Sequence, residues 1–144
     1  MPYIKIWIHF VWATKNREPV LEKESRQQLF GHIKENGKIK NIHVDFVNGH
    51  IDHVHALVSL HTEQTIAKVA QMLKGESAYW ANRNNLFQKT LVWQDEYFAV
   101  SVSESGINKV REYIKHQEEH HRKKSFQEEY DEFMEKYGFE IMKG

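Results

Sequence analysis

The sequence predicts an α+β domain in which an antiparallel sheet carries helices on one face and is extended by C-terminal helices. Three observations predict it. Several short stretches alternate apolar and polar residues with period two, and longer ones repeat with period 3.6. Their order is strand, helix, strand, strand, helix, strand, helix, helix. Elements that follow one another in this way can pair as spatial neighbours, which gives the split βαβ, or ferredoxin-like, plan. The chain has 144 residues, the size of one domain, read here as spanning residues 1–144. A fold of this kind specifies no function by itself.

The elements follow in order. Tyr3 to Ala13 alternates, with Ile4, Ile6, Ile8 and Phe10 on one face and Tyr3, Lys5, Trp7 and His9 on the other. "TKNREP" turns the chain, and "EKESRQQLFGHIKENGK" is a helix with Leu29 and Ile33 on one stripe. "NIHVDFVNG" alternates again and ends in an Asn-Gly turn, so it forms a hairpin with "DHVHALVSL". "TEQTIAKVAQMLKGESAYWANRN" is a helix with Ile66, Val69, Ala70 and Leu73 inward and a weak point at Gly75. "LVWQDEYFAVSVSES" holds one or two strands. A helix near residues 106–123 opens with a serine cap, and a last helix near 125–137 begins at Ser125 and stops at Gly138.

Composition narrows the chemistry. There is no cysteine, so disulfides, thiolate nucleophiles and thiolate metal sites are excluded. Any metal must be held by histidine, carboxylate or amide oxygen, and any covalent nucleophile must be an oxygen or an amine. The apolar start "MPYIKIWIHFVWATKNR" is interrupted by Lys5 and His9 and lacks a basic leader. It is too short to span a membrane and reads as a strand, so no membrane partner and a cytoplasmic location are expected. Acidic and basic residues balance at 20 each, so a nucleic-acid partner requires a local basic patch. "TKNR" and "HHRKK" are such patches, whereas "EEYDEFMEK" is acidic.

Within "DHVHALVSL", the period of two puts His53, His55, Leu57 and Ser59 on one face and Val54, Ala56, Val58 and Leu60 on the other. The second set must face the core. The histidines therefore sit on the more open face, side by side and within reach of one ion. Taken alone, they are better read as two polar residues on a half-solvated surface, and a third ligand would change that. Downstream, Tyr113 and Gln117 are four residues apart on one helix face, beside the apolar stripe of Val110 and Ile114. Each also has a plainer reading, Tyr113 as an aromatic edge of the core and Gln117 as a solvated residue. His116, His120 and His121 either bind metal or act as cations near the helix C-terminus. With Arg122, Lys123 and Lys124 they form a phosphate-facing patch.

Taken in order, "TKNREPVL", "DHVHALVSL", "LKGESAYW", "WQDEYFAVSVSES" and "YIKHQEEHH" followed by "SFQEEYDEF" resemble the single-tyrosine HUH transposases. These are the TnpA-type enzymes of minimal bacterial insertion sequences and their repeat-associated relatives. The resemblance covers nearly the whole chain. His-x-His alone is a weak signal, but together with Tyr-x-x-x-Gln-x-x-His-His and the other segments in order it is a strong one. Departures are mild: Ala56 stands where relatives often carry a larger aliphatic, and the formal net charge of zero is unhelpful to a DNA binder.

The resemblance implies a DNA transposase that cleaves and rejoins single-stranded DNA, including hairpin ends, through a 5′-phosphotyrosine intermediate. It makes Tyr113 the nucleophile, His53 and His55 metal ligands with Gln117 as the third, and Mg²⁺ or Mn²⁺ the cofactor. It further implies a homodimer, in which the tyrosine helix of one protomer completes the site of the other, while the short loop "SESG" before that helix is compatible with docking in cis or in trans. Lys15, Arg17, Lys74, Arg122, Lys123 and Lys124 are candidate DNA contacts, and Trp7, Trp80 and Trp93 candidate stacking platforms. Two rivals remain: a metal phosphoesterase that uses water, and a non-catalytic nucleic-acid-binding module.

Overall fold

The computed structural model describes residues 2–117, 127–129 and 131–132. The elements are β1 (Trp7–Thr14), α1 (Lys23–Ile39), β2 (His43–Gly49), β3 (His53–Ser59), α2 (Ile66–Arg83), β4 (Trp93–Val102) and α3 (Ile107–Lys115). Residues 127–129 and 131–132 are helical and fall within the expected final helix. The sheet order is β2-β3-β1-β4, and every neighbouring pair is antiparallel. This is the split βαβ arrangement expected from the order of the elements.

Alternation along the strands divides the sheet into two faces. Ile8, Phe10 and Trp12 of β1 join Val54, Ala56 and Val58 of β3 in the main core, under Leu29, Phe30 and Ile33 of α1 and Val69, Ala70 and Leu73 of α2. Trp7 and Leu57 point the other way and pack with Ile107 and Ile114 of α3. Each helix supplies an apolar stripe matched to its face. Glycine matters at the β2–β3 hairpin, because a Cβ at Gly49 would lie 2.2 Å from the His53 carbonyl oxygen. The close approach sets where β3 begins, and β3 begins with His53.

Three expectations need correction, and a fourth is narrowed. β1 starts at Trp7, and Tyr3, Ile4 and Ile6 are exposed, because the strand ladder ends at the Trp7–Ser59 pair, past which a single bond from the Leu60 amide to the Ile6 carbonyl remains. Ile66 is exposed at the first turn of α2. Gly75 does not interrupt α2, since the helix runs through it to Arg83. The segment after Leu91 forms a single strand, β4, with a register shift against β1 between Trp12 and Thr14. Among the described residues no helix is long and apolar enough to cross a membrane.

Candidate metal and tyrosine site

The face carrying His53 and His55 is covered by α3 and by the 127–129 turn of helix, not open to solvent. Both histidines are fully buried, as is Gln117, and Glu129 is 3% exposed. The alternation identified the face correctly but not its covering, which comes from residues far downstream. Tethers across the sheet hold α3 in place. A bulge between Val44 and Phe46 inserts Asp45 into β2. Arg111 of α3 donates to this carboxylate in a fork, Nε to Oδ2 at 2.7 Å and Nη2 to Oδ1 at 2.9 Å. That bond to Asp45 raises the Arg111 pKa above its ordinary value. Asn48 Nδ2 donates to the carbonyls of Ile114 and Lys115, at 3.0 and 3.2 Å, taking up acceptors at the helix end. Ser103 caps the short turn before α3 by accepting from the Gly106 amide at 3.1 Å.

This docking brings Tyr113 and Gln117 to the histidine pair within one chain. Gln117 Oε1 lies 3.0 Å from His53 Nε2. Glu129 Oε1 lies 3.1 Å from His55 Nε2, and Glu129 Oε2 lies 3.8 Å from His53 Nε2. The ligand atoms of His53, His55 and Glu129 all fall within 4.8 Å of one another. Tyr113 donates its hydroxyl hydrogen to Glu129 Oε1, and its ring meets that of His55 edge-on at 5.7 Å. Tyr113, His53 and His55 therefore meet at one carboxylate, and Gln117 joins them through His53.

The outer ring nitrogens are occupied from outside the site. His53 Nδ1 meets Asp52 Oδ1 at 2.8 Å, and His55 Nδ1 meets His9 Nε2 at 2.9 Å. A carboxylate at Nδ1 holds a proton there and leaves the Nε2 lone pair facing inward, the relation by which metal-binding histidines are oriented. Two imidazole nitrogens, an amide oxygen and a carboxylate oxygen form a donor set suited to a divalent first-row ion. These residues fit a metal. Burial pushes the His9 pKa down to about 3, with the neighbouring His55 acting in the same direction, so His9 is neutral. The Tyr113 phenol is raised well above its ordinary value, first by burial and then by the charge and hydrogen bond of Glu129; Gln117 opposes this weakly.

The other candidates fare differently. Lys15 and Arg17 occupy a tight turn in which Asn16 and Arg17 adopt positive φ. The turn lies beside the site, because Thr14 N donates to the Asp52 carbonyl at 2.8 Å. Arg17 bonds Gln127, two residues from Glu129. A cleft of about 340 Å³ opens here, lined by Val11, Thr14, Asn16, Arg17, Gln94 and Phe98. Val11 is the β1 partner of His55, so the cleft adjoins the histidine pair. Lys74 points into the fold, where its ammonium donates to the carbonyls of Gln94 and Asp95 and burial lowers its pKa. His116 turns back to the Glu112 carbonyl at 2.8 Å. His120, His121, Arg122, Lys123 and Lys124 lie outside the described residues. The tryptophans are not free platforms. Trp7 and Trp93 are buried, and Trp80 stacks on His32 at 3.9 Å.

Sequence reasoning missed Glu129, Asp52 and His9. Glu129 was hidden in an acidic run in which nothing distinguishes it from Glu128, Asp131 or Glu132. Asp52 had a signal, its position immediately before His53. His9 also had one, since it shares a strand face with Trp7 in a strand that pairs with β3.

Fold and site together define an α+β domain with a single helical tyrosine held at a metal-capable histidine pair. The chain belongs to the IS200-like transposase family, whose model matches residues 3–117. It is similar to the ISDra2 transposase TnpA of Deinococcus radiodurans, with 29% identity over 115 residues, covering 76% of this chain and 81% of the relative. Two solved structures share the fold. A candidate transposase from Deinococcus radiodurans R1 aligns with TM-score 0.64 and 24% identity, over 81% of this chain and 93% of that one. A REP-associated tyrosine transposase bound to a REP hairpin aligns with TM-score 0.62 and 16% identity, over 84% of this chain and 72% of that one.

Proposed function

We propose that this protein is a DNA transposase that cleaves and rejoins single-stranded DNA through a phosphotyrosine intermediate, with Tyr113 as nucleophile. The observation that carries the reading is the meeting of Tyr113, His53 and His55 at Glu129, with Gln117 bonded to His53, inside one chain. The Tyr113 oxygen attacks the scissile phosphorus, forming the Tyr–O–P bond as the P–O3′ bond breaks. The leaving oxygen takes up a proton to become a 3′-hydroxyl, and the DNA 5′ end stays on Tyr113. Rejoining is the reverse, with a 3′-hydroxyl attacking and the tyrosine leaving, so bond energy is conserved and no nucleotide is consumed. Glu129 accepts the phenol hydrogen bond and is placed to take its proton. Since burial and Glu129 hold the phenol protonated at rest, attack needs a polarised phosphate beside it.

His53, His55, Gln117 and Glu129 are the residues that would hold a metal. The chemistry supplied there by bound Mg²⁺ or Mn²⁺ is Lewis acidity on the phosphate oxygens. The nitrogen content of the donor set favours Mn²⁺ of the two. Arg17, which lines the cleft beside the site, and Lys15 in the same turn are the proposed phosphate contacts among the described residues, and Arg122, Lys123 and Lys124, outside the described residues, are proposed with them; Lys74 donates to the β4 carbonyls of Gln94 and Asp95 and is the weakest of the set. The solved relative bound to a REP hairpin supports hairpin DNA as partner. The proposed assembly is a homodimer in the cytoplasm, each protomer bringing its own tyrosine to its own histidines.

The test incubates the protein with single-stranded hairpin DNA and Mn²⁺, followed by denaturing electrophoresis and peptide mapping. The reading expects a protein–DNA adduct on Tyr113 that disappears with chelator and with Tyr113→Phe. Cleavage that persists in Tyr113→Phe without an adduct would mean a water-using phosphoesterase. Binding unchanged by chelator, with no cleavage, would mean a non-catalytic module.

A further inference from the structure

Both site histidines turn Nε2 inward, but different groups hold their outer nitrogens. For His53 the partner is a carboxylate, Asp52. For His55 it is another imidazole, His9 on β1, at 2.9 Å from Nε2 to Nδ1. We propose that His9 is a positioning residue of the metal site, the hydrogen-bond acceptor that keeps the proton of His55 on Nδ1 and so presents the Nε2 lone pair to the ion. The inference rests on His53 and His55 being metal ligands and extends that reading by one residue.

The geometry is fixed by the sheet. In the β1–β3 ladder His9 is opposite Leu57 and His55 is opposite Val11, so the two histidines are diagonal neighbours on one face. Their rings lie 5.1 Å apart with an interplanar angle of 31°, an arrangement in which an N–H of one can point at a ring nitrogen of the other. His9 is 6% exposed and shares its face with Trp7 and Leu57. An apolar side chain would serve packing there equally well, so the ring nitrogen is what distinguishes histidine at this place. Neutral imidazole has one donor and one acceptor nitrogen, and which is which follows from the partner. If His55 Nε2 is to give its lone pair to a metal, its only proton is on Nδ1, and His9 Nε2 must then accept. His9 also meets the Tyr113 ring edge-on at 6.3 Å, which ties the same residue to the nucleophile.

Groups in this outer position typically contribute about 10–100-fold to metal affinity. The experiment measures Mn²⁺ binding to the DNA-free protein by calorimetry and by loss of the free-ion paramagnetic resonance signal, for wild type, His9→Phe and His9→Gln. Phenylalanine keeps the ring and removes the acceptor; glutamine restores an acceptor at similar reach. The expected result is affinity about 10–100-fold lower for His9→Phe and near wild type for His9→Gln. Equal affinity in wild type and His9→Phe overturns the proposal, and so does an equal loss in both variants, which would mean a packing role. Should wild type bind no Mn²⁺, the metal-site reading itself fails, a separate outcome. A second readout needs no variant. Nitrogen-15 NMR of the wild-type protein loaded with diamagnetic Mg²⁺ should find the His55 proton on Nδ1, and a proton on Nε2 contradicts the assignment.

Discussion

The two faces of the sheet are built from the same strands yet do different work. On one, Ile8, Phe10, Trp12, Val54, Ala56 and Val58 meet α1 and α2 in a continuous apolar core. On the other, His9, His53, His55, Gln117 and Glu129 are buried together beside a small cluster of Trp7, Leu57, Ile107 and Ile114. Burial stabilises the first face through apolar area removed from water. The second must satisfy its polar groups through hydrogen bonds or an ion. Stability therefore resides mainly on one side of the sheet, and the proposed chemistry on the other. Placing the site on the strands themselves also gives it a rigid frame, as precise positioning requires.

Mutations should separate the faces. The largest expected effect is on catalysis: His55→Ala should lower adduct formation by about 10³-fold or more, while costing about 1–3 kcal/mol of stability as His9 loses its partner. Phe10→Ala, on the opposite face, should cost about 3–5 kcal/mol of unfolding free energy and lower activity only through the fraction unfolded. Urea denaturation and an adduct assay on the same preparations check both, and equal stability losses would dissolve the distinction.

A pH experiment sharpens it. The His9 pKa is lowered to about 3 in the folded chain, against about 6.5 when unfolded. Between those values the unfolded chain binds the proton and the folded chain does not, so His9 makes stability fall as pH falls through that window. Above the unfolded value it contributes no pH dependence. In His9→Gln the slope of unfolding free energy against pH should lessen by up to about 1.4 kcal/mol per pH unit, whereas Phe10→Ala should leave the slope unchanged. Urea melts from pH 7 to 4 measure it.

A smaller effect tests the tethering of α3. Asp45→Asn weakens the fork to Arg111, a partly exposed pair worth up to about 1 kcal/mol. Amide exchange should quicken in α3 by about fivefold or less, with β1 and β3 unchanged. Equal quickening across the sheet would mean that α3 is not a separately docked element.

Most of the architecture was legible because periodicity reports directly on which side chains share a face. The order of elements, the β2–β3 hairpin and the inward set of β3 all follow from it. What periodicity cannot report is what covers a face. His53 and His55 look half-solvated within their own strand, and among the described residues α3 and the 127–129 turn cover them. Tyr113 and Gln117 stood out by their spacing, while Glu129 had no pattern of its own and His9 looked like one more polar strand residue. Tyr3, Ile4 and Ile6 alternate as well as any strand, yet remain exposed because the strand ladder, a long-range property, stops at Trp7.

The central claim is that one chain brings its own tyrosine to its own histidine pair. The most direct test mixes Tyr113→Phe with His55→Ala, each incapable of forming an adduct alone, under conditions where wild type forms one on single-stranded hairpin DNA. With the site assembled within each chain, the mixture forms no adduct at any ratio. An adduct restored in the mixture, carried by the His55→Ala chain, would show that tyrosine and histidines meet across two chains and would contradict the account.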